Sequence, residues 1–269
     1  MGNASIISTA TSSTPPKEGA FAQRIDTARK TGRLRIVAAK EFAKLDTFPV
    51  NIKALDASEC ALDVVPEAIG RFTKLTTLKL NGNPNLAELP IEGLTALEAL
   101  KTLDLSHTAV HHIELFPQTR LTHLNLACCH FKGVLGHPVL ALPRSLIELD
   151  LSGNKGVTAL GVSFGFEALP LLESLDLSDT CIAELPDAMA ELSRLSCLKL
   201  EHTAVAFIPE GLFTRTPLSR LELKGSRVTK EAFLEMKGAQ AFLQRRQDRL
   251  SRDLAGGMAN VDTSLCGLD

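Results

Sequence analysis

The chain has 269 residues, enough for one large domain or two small ones, and its 29 Lys+Arg nearly balance its 31 Asp+Glu. The net charge of -2 and the absence of Trp and Tyr argue against nucleic acid as a partner. No stretch reaches the roughly 18 to 20 apolar residues that span a bilayer. Six cysteines at irregular spacing do not form a disulfide framework, so the sequence predicts a reducing, cytoplasmic environment.

Residues 1–17 are small and hydroxylated, and they predict a disordered N-terminal leader. The start Met1-Gly2-Asn3 suggests N-myristoylation of Gly2, although the usual pattern has Ser or Thr where this chain has Ile6. One acyl chain binds membranes weakly, and the excess of basic side chains in residues 1–35 would supply a second contact. Peripheral contact with the cytoplasmic face of a membrane is therefore one hypothesis, and a solvated cap with ordinary charges is the other.

Residues 18–49 are predicted to cap the N-terminal end of the fold. Apolar side chains recur at helical spacing from Glu18 to Thr31, and Gly32 is a typical residue for ending such a helix. Leu34 and Ile36 then alternate with polar residues, which predicts an edge strand.

Residues 50–228 contain eight copies of the pattern Leu-x-x-Leu-x-Leu-x-x-Asn/Cys/Thr/Ser. Their first positions are Ile52, Leu75, Leu100, Leu121, Leu146, Leu172, Leu195 and Leu218. Separations of 21 to 26 residues fall within the range of leucine-rich repeats. Four copies continue into an apolar-Pro pair, which predicts a short helix or turn on the outer side. Repeats 3 to 5 depart from this signature, so we expect an irregular outer surface there.

The spacing within each copy predicts a strand. Leu175 and Leu177 are two residues apart and share one face, while Ser174, Asp176 and Ser178 share the opposite face, towards water. One repeat cannot bury its leucines alone, so neighbouring repeats must stack. The predicted fold class is α/β: a leucine-rich repeat solenoid, a right-handed β/α superhelix of eight repeats with helical caps at both ends and a parallel sheet on its concave side.

The last position of each copy is expected to bond the backbone inside the turn, because it is always small and polar or sulfur-bearing. These residues are Cys60, Asn83, Thr108, Cys129, Asn154, Thr180, Thr203 and Ser226.

The C-terminal part is predicted to close the solenoid. Thr229 is placed to cap a helix over residues 229–254, which carries an imperfect apolar stripe. Residues 255–269 contain Gly256-Gly257 and little that could pack, which predicts a disordered tail.

The chain start, the stretch from Asp26 to Gly32, the 23-residue Leu-Pro repeats and the closing helix from Met236 to Leu250 together resemble the leucine-rich repeat-containing protein 57 family. The repeat class also resembles Ras-suppressor and scribble-type scaffolds. The resemblance implies a cytoplasmic interaction module that a lipid could anchor, and it implies no reaction.

The concave face is the predicted contact surface for a protein partner. The residues assigned to it are Asp104, Asn125, Glu148, Asp150, Ser152, Ser174, Asp176, Ser178, Lys199, Glu201 and Glu222. Asp150 and Asp176 fall on adjacent strands, and two such carboxylates could share a proton or bind a cation. However, Leu-Asp-Leu-Ser is a common form of this repeat, and no nucleophile stands beside the pair. We therefore expect no catalytic residues.

Six of the seven histidines fall between residues 107 and 137, which raises the question of a metal site. The strand geometry keeps His107 and His123 about 16 Å apart, too far to share a zinc ion. We expect no metal and no cofactor.

The sequence thus predicts a monomeric, non-enzymatic scaffold or adaptor. One alternative is a regulatory subunit or inhibitor of a signalling enzyme such as a phosphatase or small GTPase. Another is an enzyme that uses Asp150 and Asp176.

Overall fold

The computed structural model of the protein describes residues 18–114, 120–136, 140–257 and 264–268. Its strands are β1 (Arg33–Arg35), β2 (Ala54–Asp56), β3 (Thr77–Lys79), β4 (Thr102–Asp104), β5 (Ile113–Glu114), β6 (His123–Asn125), β7 (Lys132–Leu135), β8 (Leu140–Ala141), β9 (Glu148–Asp150), β10 (Gly156–Leu160), β11 (Ser174–Asp176), β12 (Cys197–Lys199) and β13 (Arg220–Glu222). Its α-helices are α1 (Glu18–Thr31), α2 (Ala39–Phe42), α3 (Ile91–Thr95), α4 (Glu210–Thr214), α5 (Lys230–Glu235) and α6 (Ala239–Ala255). The predicted leader and Gly2 lie outside the described residues.

A nine-stranded parallel sheet runs through the described part of the chain in the order β1-β2-β3-β4-β6-β9-β11-β12-β13. The register aligns equivalent repeat positions, so Leu175 lies between Leu149 and Leu198. Leu175 and Leu177 are completely buried. The predicted parallel sheet is therefore present, and its leucines form one continuous core because each repeat covers the next.

The turn that follows each of the eight repeat strands, from β2 to β13 in the main sheet, uses a residue with positive φ, between 52° and 71°. These residues are Glu59, Gly82, His107, Cys128, Gly153, Asp179, His202 and Gly225. The amide of Cys128 donates to the carbonyl of Ser152 at 2.7 Å, and the amide of Gly153 donates to that of Ser178 at 2.8 Å. The backbone ladder thus continues beyond the strands. A Cβ atom on Gly153 would lie 2.4 Å from the Cys128 sulfur, so only glycine fits there.

The predicted backbone-bonding role of the last repeat position is confirmed. Asn83 is completely buried, and its Nδ2 donates to the carbonyls of Ala57 and Leu80 at 3.0 and 2.6 Å. Its Oδ1 accepts from the amides of Cys60 and Leu62 at 3.0 and 2.9 Å. Where threonine occupies this position, its hydroxyl donates one hydrogen bond to the carbonyl three residues earlier. This is the case for Thr108, Thr180 and Thr203.

The outer surface changes along the chain. The Pro-containing repeats form short helices, with 3-10 turns at Glu67–Arg71 and Asp187–Glu191. In the middle repeats, β7 pairs with β10 and β5 pairs with β8 in two small parallel sheets. The expected irregularity there is present, since these segments lack the proline signature and stay extended.

The N-terminal end follows the predicted order, with α1 ending before Gly32 and β1 joining the sheet. Gly32 adopts φ of 70°, which favours glycine. Behind β1, Arg24 pairs with the buried carboxylate of Glu41. The ring of Phe48 stacks on Phe72 with centroids 6.1 Å apart, which joins this cap to the core of the repeats.

The C-terminal helix departs from the prediction because it is two helices. The predicted cap is confirmed: Thr229 Oγ1 accepts from the amide of Ala232 at 3.2 Å. The chain then breaks at Gly238, whose φ is 86°, and α6 begins. The break lets Phe233 and Phe242 pack edge to face at 5.9 Å. No helix in the described ranges is both long and apolar enough to cross a bilayer.

Residues 264–268 depart from the predicted disordered tail because they return to the end of the sheet. The amide of Leu223 donates to the carbonyl of Cys266 at 2.8 Å, and Cys266 is buried. Leu265 and Leu268 pack on the core. This turn gives a partner to an amide just beyond β13, which the edge of a sheet would otherwise leave open.

Candidate functional site

Three rows of side chains cross the sheet on the side opposite the leucine core, and this side is the concave face of the prediction. The first row is Arg33, Ala54, Thr77, Thr102, His123, Glu148, Ser174, Cys197 and Arg220. The central row is Arg35, Asp56, Lys79, Asp104, Asn125, Asp150, Asp176, Lys199 and Glu222. The third row, just beyond the strands, is Ser58, Asn81, Ser106, Ala127, Ser152, Ser178, Glu201 and Lys224.

A depression of about 380 Å³ lies in the middle of the concave face. Seven predicted residues line it: Asp104, Asn125, Glu148, Asp150, Ser174, Asp176 and Lys199. Thr102 and His123 also line it and were not predicted, and so does Lys79, which the repeat pattern places on the concave face but which was not among the predicted contact residues. They occupy the same repeat positions as the predicted residues, so the repeat register was the signal that could have identified them.

The third row contributes less to the surface than predicted. Ser178 is buried, with 6% of its surface exposed, because its Oγ accepts from the amide of Glu201 at 3.3 Å inside the turn. The prediction that Ser178 faces water is therefore wrong. Ser152, Glu201 and Glu222 are half-buried and do not line the central depression.

The acidic side chains of the central row also cap the strands. Oδ1 of Asp150 accepts from the amide two residues later at 2.9 Å, and Oδ1 of Asp104 does so at 3.1 Å. Asn125 makes the same bond at 2.9 Å without a charge. The second carboxylate oxygen takes no part in this cap. An Asp→Asn substitution therefore removes the charge and keeps the cap.

The C-terminal part of the central row is neutralised within the chain. Lys199 Nζ lies 3.2 Å from Asp176 Oδ2. Burial acts to lower the pKa of the Lys199 ammonium, but the carboxylates of Asp176 and Glu222 outweigh it and raise that pKa. Burial raises the pKa of the Glu222 carboxyl above its usual value, against the opposing effect of Lys199.

The middle of the central row, at Asp104 and Asp150, is not neutralised in this way. Among the described residues, no cation forms an ion pair with Asp104 or Asp150. In the first row, His123 Nε2 lies 3.7 Å from Glu148 Oε2. The middle of the concave face thus presents carboxylates that are held in place by the backbone and remain available to a partner.

Asp176→Ala is expected to lower the free energy of unfolding by about 1 to 2 kcal/mol, because it removes the cap on the Ser178 amide and the ion pair to Lys199. Asp176→Asn keeps the cap and should cost below about 1 kcal/mol. Urea denaturation measures both. Equal losses in the two variants would mean that the ion pair, and not the cap, stabilises this strand end.

Asp150 and Asp176 lie opposite each other on β9 and β11, as the spacing predicts. Asp176 is paired with Lys199, and each carboxylate has one oxygen in a backbone cap. Within the described ranges, no group of three or more His, Cys, Asp or Glu side chains is placed to hold a metal ion. The pair is therefore part of the charged face and lacks the arrangement of a metal centre.

A family model described as Leucine Rich repeat matches residues 143–164 of the chain. Leucine-rich repeat-containing protein 42 from Xenopus laevis is 36% identical over 138 residues, covering 46% of this chain and 33% of that protein. The chain thus matches about a third of the length of this relative.

Two solved structures are similar in fold. TLR13 in a complex with ssRNA13 has a TM-score of 0.59 at 24% identity, covering 73% of this chain and 27% of that one. An internalin from Listeria monocytogenes has a TM-score of 0.57 at 19% identity, covering 78% and 56%. The chain is thus similar to leucine-rich repeat proteins in sequence over part of its length, and its parallel sheet gives it a fold similar to that of the two solved structures. The finer resemblance to the leucine-rich repeat-containing protein 57 family stays a prediction.

Proposed function

We propose that the protein is a non-enzymatic scaffold or adaptor that binds another protein on its concave face. In this proposal the chain is an eight-repeat solenoid with helical caps at both ends, acting as a monomer. The observation that supports it best is the central depression, whose charged side chains are fixed in register on a rigid sheet. Leucine-rich repeats commonly present such an extended concave surface to partners.

The dimensions of the face favour a protein over a small molecule. The lining residues extend from Lys79 on β3 to Lys199 on β12. This distance covers five strand spacings, or about 24 Å. A surface of that length, without a deep enclosed cavity, fits a segment of polypeptide better than a compact ligand.

The test uses substitutions that preserve the strand caps. Asp104→Asn with Asp150→Asn should weaken a partner identified by crosslinking by about three- to tenfold, since charges on a face select and steer partners. Calorimetry with the purified partner measures this change. Asp187→Asn on the outer side is the matched control and should leave the affinity unchanged. If the partner binds the Asp104→Asn, Asp150→Asn double variant as tightly as the control, the binding surface would instead be assigned to the outer side.

The identity of the partner decides between adaptor and regulator. If the partner is a signalling enzyme such as a phosphatase or small GTPase, the protein would be its regulatory subunit or inhibitor. Enzyme turnover with and without one equivalent of the protein distinguishes these roles. Turnover by the protein itself that is lost in Asp176→Asn would contradict a non-enzymatic role.

Anchoring is a separate part of the proposal. The Met1-Gly2-Asn3 start and the basic side chains of residues 1–35 support a cytoplasmic protein held at a membrane by an acyl group on Gly2. Mass spectrometry of the native N-terminus tests this, and an unmodified or acetylated residue would exclude myristoylation.

A further inference from the structure

The N-terminal end of the concave face is basic. Arg33, Arg35 and Lys79 are exposed around a second depression of about 420 Å³. None of the three forms an ion pair with a described carboxylate. Asp56 lies between them and is the one carboxylate in the lining of this depression; its Oδ1 accepts from the amide and hydroxyl of Ser58 at 3.1 and 2.7 Å. Three cations therefore face a single carboxylate, which leaves this end with an excess of positive charge.

The middle of the same face is acidic. Asp104 and Asp150 lie on either side of Asn125 and have no cation of their own among the described residues. Lys199, further along the row, is already paired with Asp176. The charge of the concave face therefore changes sign from its N-terminal end to its middle, and the two halves call for opposite charges in a partner.

We propose that this face binds an extended segment of a partner that is acidic at one end and basic at the other. This inference rests on the proposed protein-binding function. A carboxylate of the segment lies over Arg33, Arg35 and Lys79, and a lysine or arginine lies over Asn125 between Asp104 and Asp150. Opposite charges on both halves make the orientation of the segment unique.

The strand spacing sets the distance between the two charges of the segment. The basic half is centred on β2 and the acidic half on β6, with β3 and β4 between them. Three strand spacings amount to about 14 Å, which an extended chain covers in about four residues. The acidic and basic residues of the partner should therefore be about four positions apart.

The backbone caps prepare the acidic half for this contact. Asp104 and Asp150 each hold one oxygen in a bond to the main chain, so their side chains lose little rotational freedom on binding. The other oxygen remains free to accept a charge-assisted hydrogen bond from a guanidinium or ammonium group.

The experiment selects binders to the full chain from a phage-displayed library of random peptides of about twelve residues, long enough to span both halves. Enriched peptides should carry an acidic and a basic residue about four positions apart. Fluorescence anisotropy then measures how the synthetic peptides bind the wild-type chain and four variants. Arg35→Gln with Lys79→Gln and Asp104→Asn with Asp150→Asn should each weaken binding by about five- to tenfold. Asp187→Asn on the outer side is the control.

Thr102→Trp, which adds neutral bulk between the two halves, separates this proposal from the proposed function. Peptides that lose binding in Thr102→Trp but ignore the charge substitutions would overturn the two-charge segment and leave protein binding on this face intact. If none of these substitutions changes peptide binding, or if the library yields no binder, both the two-charge segment and the proposed protein binding on this face would be overturned. Circular dichroism and urea denaturation check that each variant is folded.

Discussion

Asn83→Ala is expected to lower the free energy of unfolding by about 3 to 6 kcal/mol, because a methyl group cannot replace four hydrogen bonds to buried backbone groups. The side chain of Asn83 donates to two carbonyls and accepts from two amides, and it is completely buried. One of those groups, the carbonyl of Leu80, belongs to its own repeat, and the other three belong to the repeat before it. The substitution therefore loosens the turn and the contact between two repeats together. Urea denaturation measures the loss.

Asn154 is the matched control for this prediction. It occupies the same repeat position, and its Nδ2 donates to the carbonyls of Leu126 and Leu151 at 2.8 and 2.7 Å. Its Oδ1 accepts no hydrogen bond within the described residues. Asn154→Ala should therefore cost less than Asn83→Ala, by about 1 to 3 kcal/mol. Equal losses would show that the two bonds to Asn83 Oδ1 contribute little.

Leu175→Ala should cost about 2 to 5 kcal/mol, because it leaves a cavity in the centre of the leucine core. Leu175 is completely buried, and Leu149 and Leu198 flank it on the neighbouring strands. Parallel strands on both sides hold the backbone in place, so the cavity cannot collapse easily. Urea denaturation with an unchanged m-value would report this loss as a pure change in stability.

Thr102→Ala is the control for Leu175→Ala. Thr102 lies on the outward face of β4 and is half-buried. Its replacement should cost below about 1 kcal/mol, since it removes only a small part of the surface and some strand propensity. A larger loss for Thr102→Ala than for Leu175→Ala would contradict the assignment of the core to the leucine face.

The strand positions and the core could be predicted because the leucine spacing within each repeat indicates both. The two-residue spacing of Leu175 and Leu177 determines which face is buried, and the recurrence of the pattern determines that the next repeat covers it. Helix α1 and the turn at Gly32 were predictable for a similar local reason, because apolar spacing and a terminal glycine act within a few residues.

The candidate site was predictable only in part. Asp104, Asp150 and Lys199 line the central depression as the repeat register indicates. Arg33 and Arg35 extend the same surface, yet the sequence pattern indicates only that they belong to the basic residues of an N-terminal cap. Their position beside Lys79 depends on β1 pairing with β2, and that pairing joins residues about twenty positions apart.

The amino-acid sequence by itself determined the repeat, the core face and the register, because these follow from local periodicity. Tertiary structure decided what depends on contacts between distant residues. It buried Ser178 beneath the amide of Glu201 and paired Lys199 with Asp176. It also brought Cys266 back to an amide beyond β13. No local pattern encodes these contacts, since each joins groups 23 or more residues apart whose positions are set by how the repeats stack.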